Sequence, residues 1–179
     1  PISGGTLKAS DGQLSILASG SSLAFSKARP ALDAMATRVF ELGEAAGAGS
    51  SMKAVNQMLT GVQIAAMAEA LTFGMTQGVT PAQFLDVISQ CAGTSWALEN
   101  RAPSIVSGDY RPLSAVDIWP KDLGIVLDIA KAAKFAAPIT ATALQQYLAA
   151  SGSGLGGEHD SAVAKVYARN AGLTLPGQG

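Results

Sequence analysis

A lysine and two side-chain amides stand at a spacing that can act on a small polar substrate. Lys53, Asn56 and Gln57 are three and four residues apart, so on a helix they share one face. The surrounding segment is otherwise apolar, and a lysine buried there is costly unless it is paired or used. Burial also lowers the pKa of a lysine toward the range useful for proton transfer. The spacing fits a proton-transfer site, and it fits equally well a lysine that reaches from the first turn of the helix to solvent.

A glycine pair near the first residue could bind an anion. Ser3, Gly4 and Gly5 follow a short apolar start, and backbone N–H groups at such a turn can point at a carboxylate. An ordinary tight turn explains the tripeptide at least as well. Farther along, Lys121 and Asp122 stand inside a predicted helix, where by themselves they indicate only a solvated ion pair.

Other chemical patterns are interpreted as structural. The Gly-x-Gly-x-x-Gly segment at 152–157 matches the dinucleotide-binding motif in letters, but it follows a predicted helix and no βαβ unit surrounds it. We interpret it as a helix–helix loop. His159 is the only histidine, and it is expected to be a solvated residue at a helix start, so no metal site is predicted. Cys91 is predicted to lie in the core, and Trp96 fits a core anchor or a pocket wall.

Composition restricts the classes of partner. The 179 residues carry a net charge of −1, which argues against nucleic acid and against a basic membrane-binding face. A single cysteine is typical of a reducing compartment, so we expect a cytoplasmic protein. The mean hydropathy of +0.27 raises the question of a membrane span. The most apolar stretch, 54–68, contains Asn56, Gln57 and Gln63, and therefore predicts a core helix.

The pattern of apolar and turn residues changes near residue 44. Residues 1–44 hold short apolar runs between turn residues, including strand candidates at Leu14–Ala18 and 38–42, as in βαβ units. A long helix is predicted from Ser51 to about Gln77, and its apolar residues all round predict neighbours on every side. Further helices are predicted to begin at Pro81, near Ser95, after a capping box at Ser114–Asp117, at Pro138 and near Glu158.

Three segments taken together resemble a known family. Pro1–Gly5 resembles the substrate-binding segment of the 3-hydroxyisobutyrate dehydrogenase family, the β-hydroxyacid dehydrogenases. The segment Gly47–Lys53 with Asn56 and Gln57 resembles its catalytic helix, and Lys121–Gly124 resembles its cofactor-facing motif. The runs Gly93–Arg101, 108–118 and 160–163 are similar to the L-threonate dehydrogenase branch of that family.

The resemblance implies a mainly α fold. Residues 45–172 would form an all-α helical domain like the C-terminal domain of 6-phosphogluconate dehydrogenase, which binds substrate and forms the dimer contact. Residues 1–44 would be the last α/β elements of a truncated Rossmann domain. Residues 173–179 would be a flexible tail. Since the first residues show neither Met nor a leader, we also expect the chain to start inside a longer protein.

The resemblance also implies roles for the candidate residues. Lys53 would be the general acid/base, the Ser3–Gly5 turn would hold the substrate carboxylate, and Asn56 and Gln57 would orient the substrate. Lys121 would lie near the nicotinamide of NAD, with NADP also possible. Many family members have Asn where this chain has Gln57, so the role of that residue is the least direct transfer.

The expected activity is oxidation of a small hydroxy acid, best matched by L-threonate to its 2-keto acid. Because no strand–GxGxxG–helix unit is present, we expect the 179-residue chain alone to be inactive. One alternative is a non-catalytic helical dimerisation module, and a homo-oligomer is expected in either case. Another alternative is the same scaffold acting on 3-hydroxyisobutyrate or tartronate semialdehyde.

Overall fold

The computed structural model describes residues 1–178 and separates into two compact units. The first comprises Pro1–Asn56 and the second begins at Gln57. Their division falls inside helix α3 (Ala48–Thr76), twelve residues after the predicted domain boundary at 44/45. Gly179, the last residue of the predicted tail, lies outside the described residues.

The first unit is a three-stranded sheet with helices beside it. Strands lie in the order β1-β2-β3, with β1 antiparallel and β3 parallel to β2. Leu14, Ile16 and Ala36 form its small core. The Ser21 side chain caps the second helix, and Pro30 lies inside that helix. The elements are β1 (Ile2–Ser3), α1 (Gly5–Ser10), β2 (Leu14–Ala18), α2 (Ser22–Met35) and β3 (Ala36–Glu41).

The second unit is helical, which confirms the mainly α fold class. Thr80 forms a capping box with Gln83, and Ser95 caps the next helix through its hydroxyl, both at predicted helix starts. After the remainder of α3, the helices are α4 (Pro81–Ile88), α5 (Trp96–Ser107), α6 (Ile118–Ala132), α7 (Pro138–Ala150) and α8 (Ala164–Asn170), with a π turn at Ser151–Leu155 and a 3-10 turn at Asp160–Val163.

Three helices of the second unit pack closely at Gly61 of α3. A Cβ atom at Gly61 would lie 2.8 Å from Cε3 of Trp119 and 2.9 Å from Cδ2 of Leu123, both in α6. The hydroxyl of Tyr147 in α7 donates a 2.8 Å hydrogen bond to the Gly61 carbonyl oxygen. The rings of Trp119 and Tyr147 stack with centroids 5.6 Å apart. Three helices therefore meet at a position that admits no side chain.

The prediction that α3 is packed on every side is wrong. Val55, Leu59 and Phe73 are 53%, 56% and 66% exposed, and 39% of the most apolar window of the helix is buried. By length and composition α3 could cross a membrane. Its packing on α6 through Gly61 is that of a core helix with one covered face.

The predicted capping box at Ser114–Asp117 is also wrong. The Ser114 carbonyl oxygen accepts a hydrogen bond from the amide of Asp160, and Ala115 forms an isolated β-bridge with His159. The backbone of this segment is thus committed to a distant part of the chain. Helix α6 starts only at Ile118, and the Asp117 side chain makes no capping hydrogen bond.

One further expectation about burial is wrong. Cys91, predicted in the core, is exposed in the turn after α4. The segment predicted as a flexible tail carries the buried side chain of Leu175, whose amide donates to Oε1 of Gln178. The backbone of Gly177 lies directly against Gly108, so these residues pack on the turn that ends α5.

Replacing Gly61 is expected to destabilise the helical unit. In Gly61→Ala the new methyl group meets the ring of Trp119, and we expect a loss of about 1–3 kcal/mol in the free energy of unfolding. The matched control is Gly124→Ala in α6, because a Cβ there meets nothing within 4 Å. That control should gain up to about 1 kcal/mol from helix propensity. Thermal and urea unfolding followed by circular dichroism measure both, and equal stabilities would contradict the packing argument.

Candidate functional site

The Ser3–Gly5 turn has a backbone that requires its glycines. Strand β1 ends at Ser3, which pairs with Ser15 of β2. Gly4 and Gly5 have φ values of 139° and 69°, both in the region that favours glycine. A Cβ on Gly4 would also lie 2.9 Å from Cβ of Lys8. The glycine pair therefore has a conformational reason, and the turn opens directly into α1.

The first turn of α3 packs on the same strand. The amide of Gly49 lies 3.4 Å from Oγ of Ser19, and a Cβ on Gly49 would collide with the carbonyl oxygen of Leu17. Since Ser3 pairs with Ser15, the turn and the helix start contact β2 about two residues apart, or roughly 7 Å along the strand. The first unit thus brings two of the predicted segments to one strand.

Lys53, Asn56 and Gln57 occupy the predicted helix face. All three lie within α3, and each is half-buried in the structure. Their spacing places them within about one helical turn of one another, because residues three and four apart are neighbours on a helix surface. This confirms the helical context that the sequence argument needs.

Asp122 connects two of the predicted residues within the second unit. Nε2 of Gln57 donates a 2.6 Å hydrogen bond to Oδ2 of Asp122, and Nζ of Lys121 lies 3.0 Å from Oδ1. The Asp122 side chain is 15% exposed, whereas that of Lys121 is 67% exposed. The ion pair of Lys121 and Asp122 is therefore not fully solvated, as the sequence by itself indicates it would be, because its carboxylate is largely buried. Sequence reasoning did not predict the contact between Asp122 and Gln57, although the place of Asp122 beside Lys121 was the available signal.

The surroundings of His159 contradict the sequence prediction. Its side chain is buried, and Nδ1 accepts from the amide of Ser161 at 3.3 Å. Asp160 is also buried and forms a 2.8 Å ion pair with Nε of Arg101. Oδ2 of Asp160 accepts a 3.2 Å hydrogen bond from Nε1 of Trp119. Residues distant in sequence enclose His159 and Asp160. The charged neighbours Glu158 and Asp160 therefore wrongly indicated that His159 is exposed to solvent.

The state of His159 follows from these contacts. Burial lowers its pKa below the ordinary value, the nearby Asp160 and Asp109 raise it, and Arg101 lowers it, with a net decrease. An Nδ1 atom that accepts a backbone hydrogen bond belongs to the neutral imidazole. His159 therefore holds the start of the 3-10 turn as a neutral cap.

Trp96 and the segment 152–157 are the remaining candidates. Trp96 is exposed, with the guanidinium of Arg101 5.2 Å from its ring centroid, so it anchors no core. The segment 152–157 follows α7 and begins in a π turn, which is not the strand–turn–helix that holds a pyrophosphate. Within residues 1–178, no group of three acidic, histidine or cysteine side chains could hold a metal.

An open apolar groove of about 380 Å³ lies beside α6 and α7. Its lining includes Leu127, Phe135 and Pro138, and it contains no predicted site residue. This groove therefore does not mark the predicted site.

Two family models match consecutive parts of the sequence. The model for the NAD-binding domain of NADP-dependent 3-hydroxyisobutyrate dehydrogenase matches residues 47–167. The model for the NAD binding domain of 6-phosphogluconate dehydrogenase matches residues 1–43. Both describe NAD(P)-binding dehydrogenase families. The chain belongs to the 3-hydroxyisobutyrate dehydrogenase family, which confirms the resemblance.

Individual relatives agree with this family. L-threonate dehydrogenase of Cupriavidus necator is 50% identical over 178 residues, covering 99% of this chain and 59% of the relative. L-threonate dehydrogenase of Escherichia coli K12 is 46% identical over 177 residues, covering 99% and 58%. The crystal structure of 3-hydroxyisobutyrate dehydrogenase from Salmonella typhimurium has a TM-score of 0.88 and 47% identity over 93% of this chain and 58% of its own. The chain therefore spans less than two thirds of each.

Protonation of His159 is expected to destabilise the fold in mild acid. Its pKa is lower folded than unfolded, so the unfolded state binds the proton more tightly. Stability is then complete above the unfolded value of about 6.5 and falls as the pH drops through that value. Unfolding midpoints between pH 7.5 and 5.5 measure the effect.

The control for this experiment is His159→Asn. Asparagine keeps a side-chain acceptor for the Ser161 amide and does not titrate. As the chain has no other histidine, this variant should lose most of the pH dependence in that range. A wild-type midpoint that stays constant from pH 7.5 to 5.5 would contradict the assignment.

Proposed function

We propose that this chain is the C-terminal portion of an NAD(P)-dependent dehydrogenase that oxidises a small hydroxy acid, with L-threonate as the substrate. The observation that carries the proposal is the 50% identity with L-threonate dehydrogenase of Cupriavidus necator across nearly the whole chain. Relatives named for other substrates are more distant, such as 3-hydroxyisobutyrate dehydrogenase of Pseudomonas aeruginosa at 37% over 150 residues.

The residues present fit one end of a nicotinamide cofactor. Lys121 has an exposed ammonium group in the first turn of α6, where it forms an ion pair with Asp122. This ammonium group would contact the nicotinamide end of the cofactor. Among the described residues no strand–GxGxxG–helix unit exists to hold the pyrophosphate. Bound NAD or NADP supplies the hydride acceptor for the oxidation.

Lys53 would supply the proton chemistry. As the substrate carbon loses hydride, its hydroxyl O–H bond breaks and the proton moves to Nζ of Lys53, leaving a carbonyl group. The reverse transfer makes the same lysine a general acid in reduction. The Ser3–Gly5 turn would hold the carboxylate through backbone N–H groups, and Asn56 and Gln57 would orient the hydroxyl-bearing carbon.

Lys53 is expected to be essential in the full-length polypeptide. In the wild type, the kcat/KM for oxidation of L-threonate should exceed the kcat/KM for oxidation of 3-hydroxyisobutyrate. It should also exceed the kcat/KM for reduction of tartronate semialdehyde. Lys53→Ala should lower kcat by about 10²–10⁴-fold while the fold stays intact. Lys53→Arg should fail similarly, since arginine keeps the charge and cannot release the proton.

The matched control is Lys27→Ala, which removes an exposed lysine of α2. Its kcat should equal that of the wild type. Retention of turnover within tenfold in Lys53→Ala would eliminate the general acid/base role. A preference for one of the other substrates would place this chain elsewhere in its family without changing the role of Lys53.

A second proposed role is self-association through the helical unit. The observation that favours it is the exposed apolar face of α3, represented by Leu59 and Phe73. Large apolar patches of this kind mark interaction surfaces. This role is compatible with catalysis, and a chain without enzyme activity would keep it.

A charge placed on that face should weaken self-association. We expect Leu59→Glu to shift the chain toward its 18.1 kDa monomer in sedimentation velocity at micromolar concentration. Gln77→Glu adds the same group at an exposed position just after α3 and should leave the distribution unchanged. A wild type that sediments as a monomer at every concentration would contradict the proposal.

A further inference from the structure

An apolar surface of the second unit continues beyond the exposed face of α3. Ile139 in the first turn of α7 is 70% exposed, and it lines a groove of about 200 Å³ together with Ala66 and Glu69 of α3. The next residue back, Pro138, lines the larger groove of about 380 Å³ beside α6 and α7, where Phe135 is 63% exposed. We call this larger groove the α6–α7 groove. It adjoins the face of α3 through Ile139, so the two form one continuous surface.

The exposed side chains of α3 in this unit lie on one stripe. Leu59, Ala66 and Phe73 are seven residues apart, which is almost two helical turns, so they stand in line over about 21 Å. Glu69 is exposed and lies four residues before Phe73, so the two side chains are neighbours on the helix surface. This α3 stripe therefore presents an aromatic ring with a carboxylate beside it.

The α6–α7 groove presents complementary groups. Lys131, in the last turn of α6, is the charged residue of an otherwise apolar lining. Lys134 stands next to Phe135 and has a φ of 54°, in the left-handed region that residues other than glycine rarely adopt. Within residues 1–178, neither of these exposed lysines nor Glu69 forms an ion pair. The groove thus combines apolar walls with two positive charges.

We infer that a second copy of this chain covers this surface, with the α3 stripe of each protomer lying in the α6–α7 groove of its partner. The ring of Phe73 then packs in the groove, and Glu69 pairs with the partner's Lys131. Because stripe and groove adjoin on one surface, a twofold axis between them forms both contacts at once and closes the interface. This inference rests on the self-association proposed above, for which it names the partner surface.

Charge favours this arrangement over the pairing of α3 with α3. From Gln57 to Thr76 the helix contains no lysine or arginine, so two α3 stripes in contact would bring two Glu69 carboxylates to one interface without a cation. Like charges brought together at an interface lower the affinity, whereas opposite charges raise the rate and specificity of association. Lys131 and Lys134 supply the opposite charge at the groove.

The area of the surface favours the same arrangement. A stable interface buries about 800 Å² on each partner. The α3 stripe is about 21 Å long and a helix is about 10 Å wide, so the stripe alone has a footprint of roughly 200 Å². The α6–α7 groove and Ile139 extend the apolar surface over three helices, and an interface that uses both halves comes closer to the area that a stable dimer needs.

The test exchanges charges between two variants of the whole 179-residue chain. Glu69→Lys brings a lysine to the basic groove, and Lys131→Glu brings two carboxylates together, so each variant alone should raise the Kd of the dimer at least about tenfold. An equimolar mixture should dimerise with a Kd within about threefold of the wild type, because it contains one native and one reversed charge pair. Sedimentation velocity over a micromolar concentration series measures each Kd. Recovery on mixing also shows that both variants are folded.

Matched controls separate this contact from an effect of net charge. Lys27→Glu and Glu44→Lys make the same charge changes at exposed positions of the first unit and should leave the Kd unchanged. Phe135→Ala removes an exposed ring from the groove and should raise the Kd about tenfold, while the circular dichroism spectrum stays that of the wild type.

The outcomes distinguish the inference from the role on which it rests. A wild type that remains a monomer at every concentration would overturn the self-association role, and the inference with it. A wild-type dimer whose Kd is unchanged in both charge variants would overturn the inference and leave self-association through another surface. Charge variants that stay monomeric when mixed would also overturn it, because the reversed pair would then restore no contact.

Discussion

The helical unit depends on the close approach of α3 and α6 at Gly61. With no side chain at that position, Trp119 and Leu123 lie directly against the α3 backbone. A close approach of two helices brings together side chains about one turn away, and Gln57 lies one turn before Gly61. Asp122 stands next to Leu123, so the same approach places its carboxylate within 2.6 Å of the Gln57 amide. A glycine with no chemistry of its own thus sets the geometry of a polar pair.

Trp119 extends this constraint to the rest of the unit. Its ring stacks on Tyr147 of α7, and its indole N–H donates to the buried Asp160. Asp160 in turn pairs with Arg101 of α5. Removing either member of such a buried ion pair leaves the other charge uncompensated, which costs far more than the pair gains. Trp119 of α6 therefore contacts α3 and α7 through its ring, and through its indole N–H it contacts Asp160, which in turn pairs with α5.

The family uses this scaffold for several related substrates. Its named relatives here include L-threonate dehydrogenase at 50% identity and 2-(hydroxymethyl)glutarate dehydrogenase of Eubacterium barkeri at 36%.

Local features were predictable wherever the physical cause is local. Thr80 and Ser95 cap helices through hydroxyl groups that reach an amide three residues away, so their neighbours alone determine them. The face shared by Lys53 and Gln57 follows from helix periodicity in the same way. The motifs also indicated the family, since residue types and spacing are properties of the chain.

Burial and partnership were decided only by the tertiary structure. The sequence determined that His159 and Asp160 are polar, but segments from α5 and α6 enclose them, against the expectation of solvent. The prediction for Cys91 was wrong in the opposite direction: it was expected in the core and is exposed. The residues around it do not reveal that nothing covers the turn after α4. The bond between Gln57 and Asp122 spans 65 residues of chain. Sequence by itself determined which groups could do chemistry and on which helices they stand, while helix packing decided which of them meet, since that depends on contacts far apart in the chain.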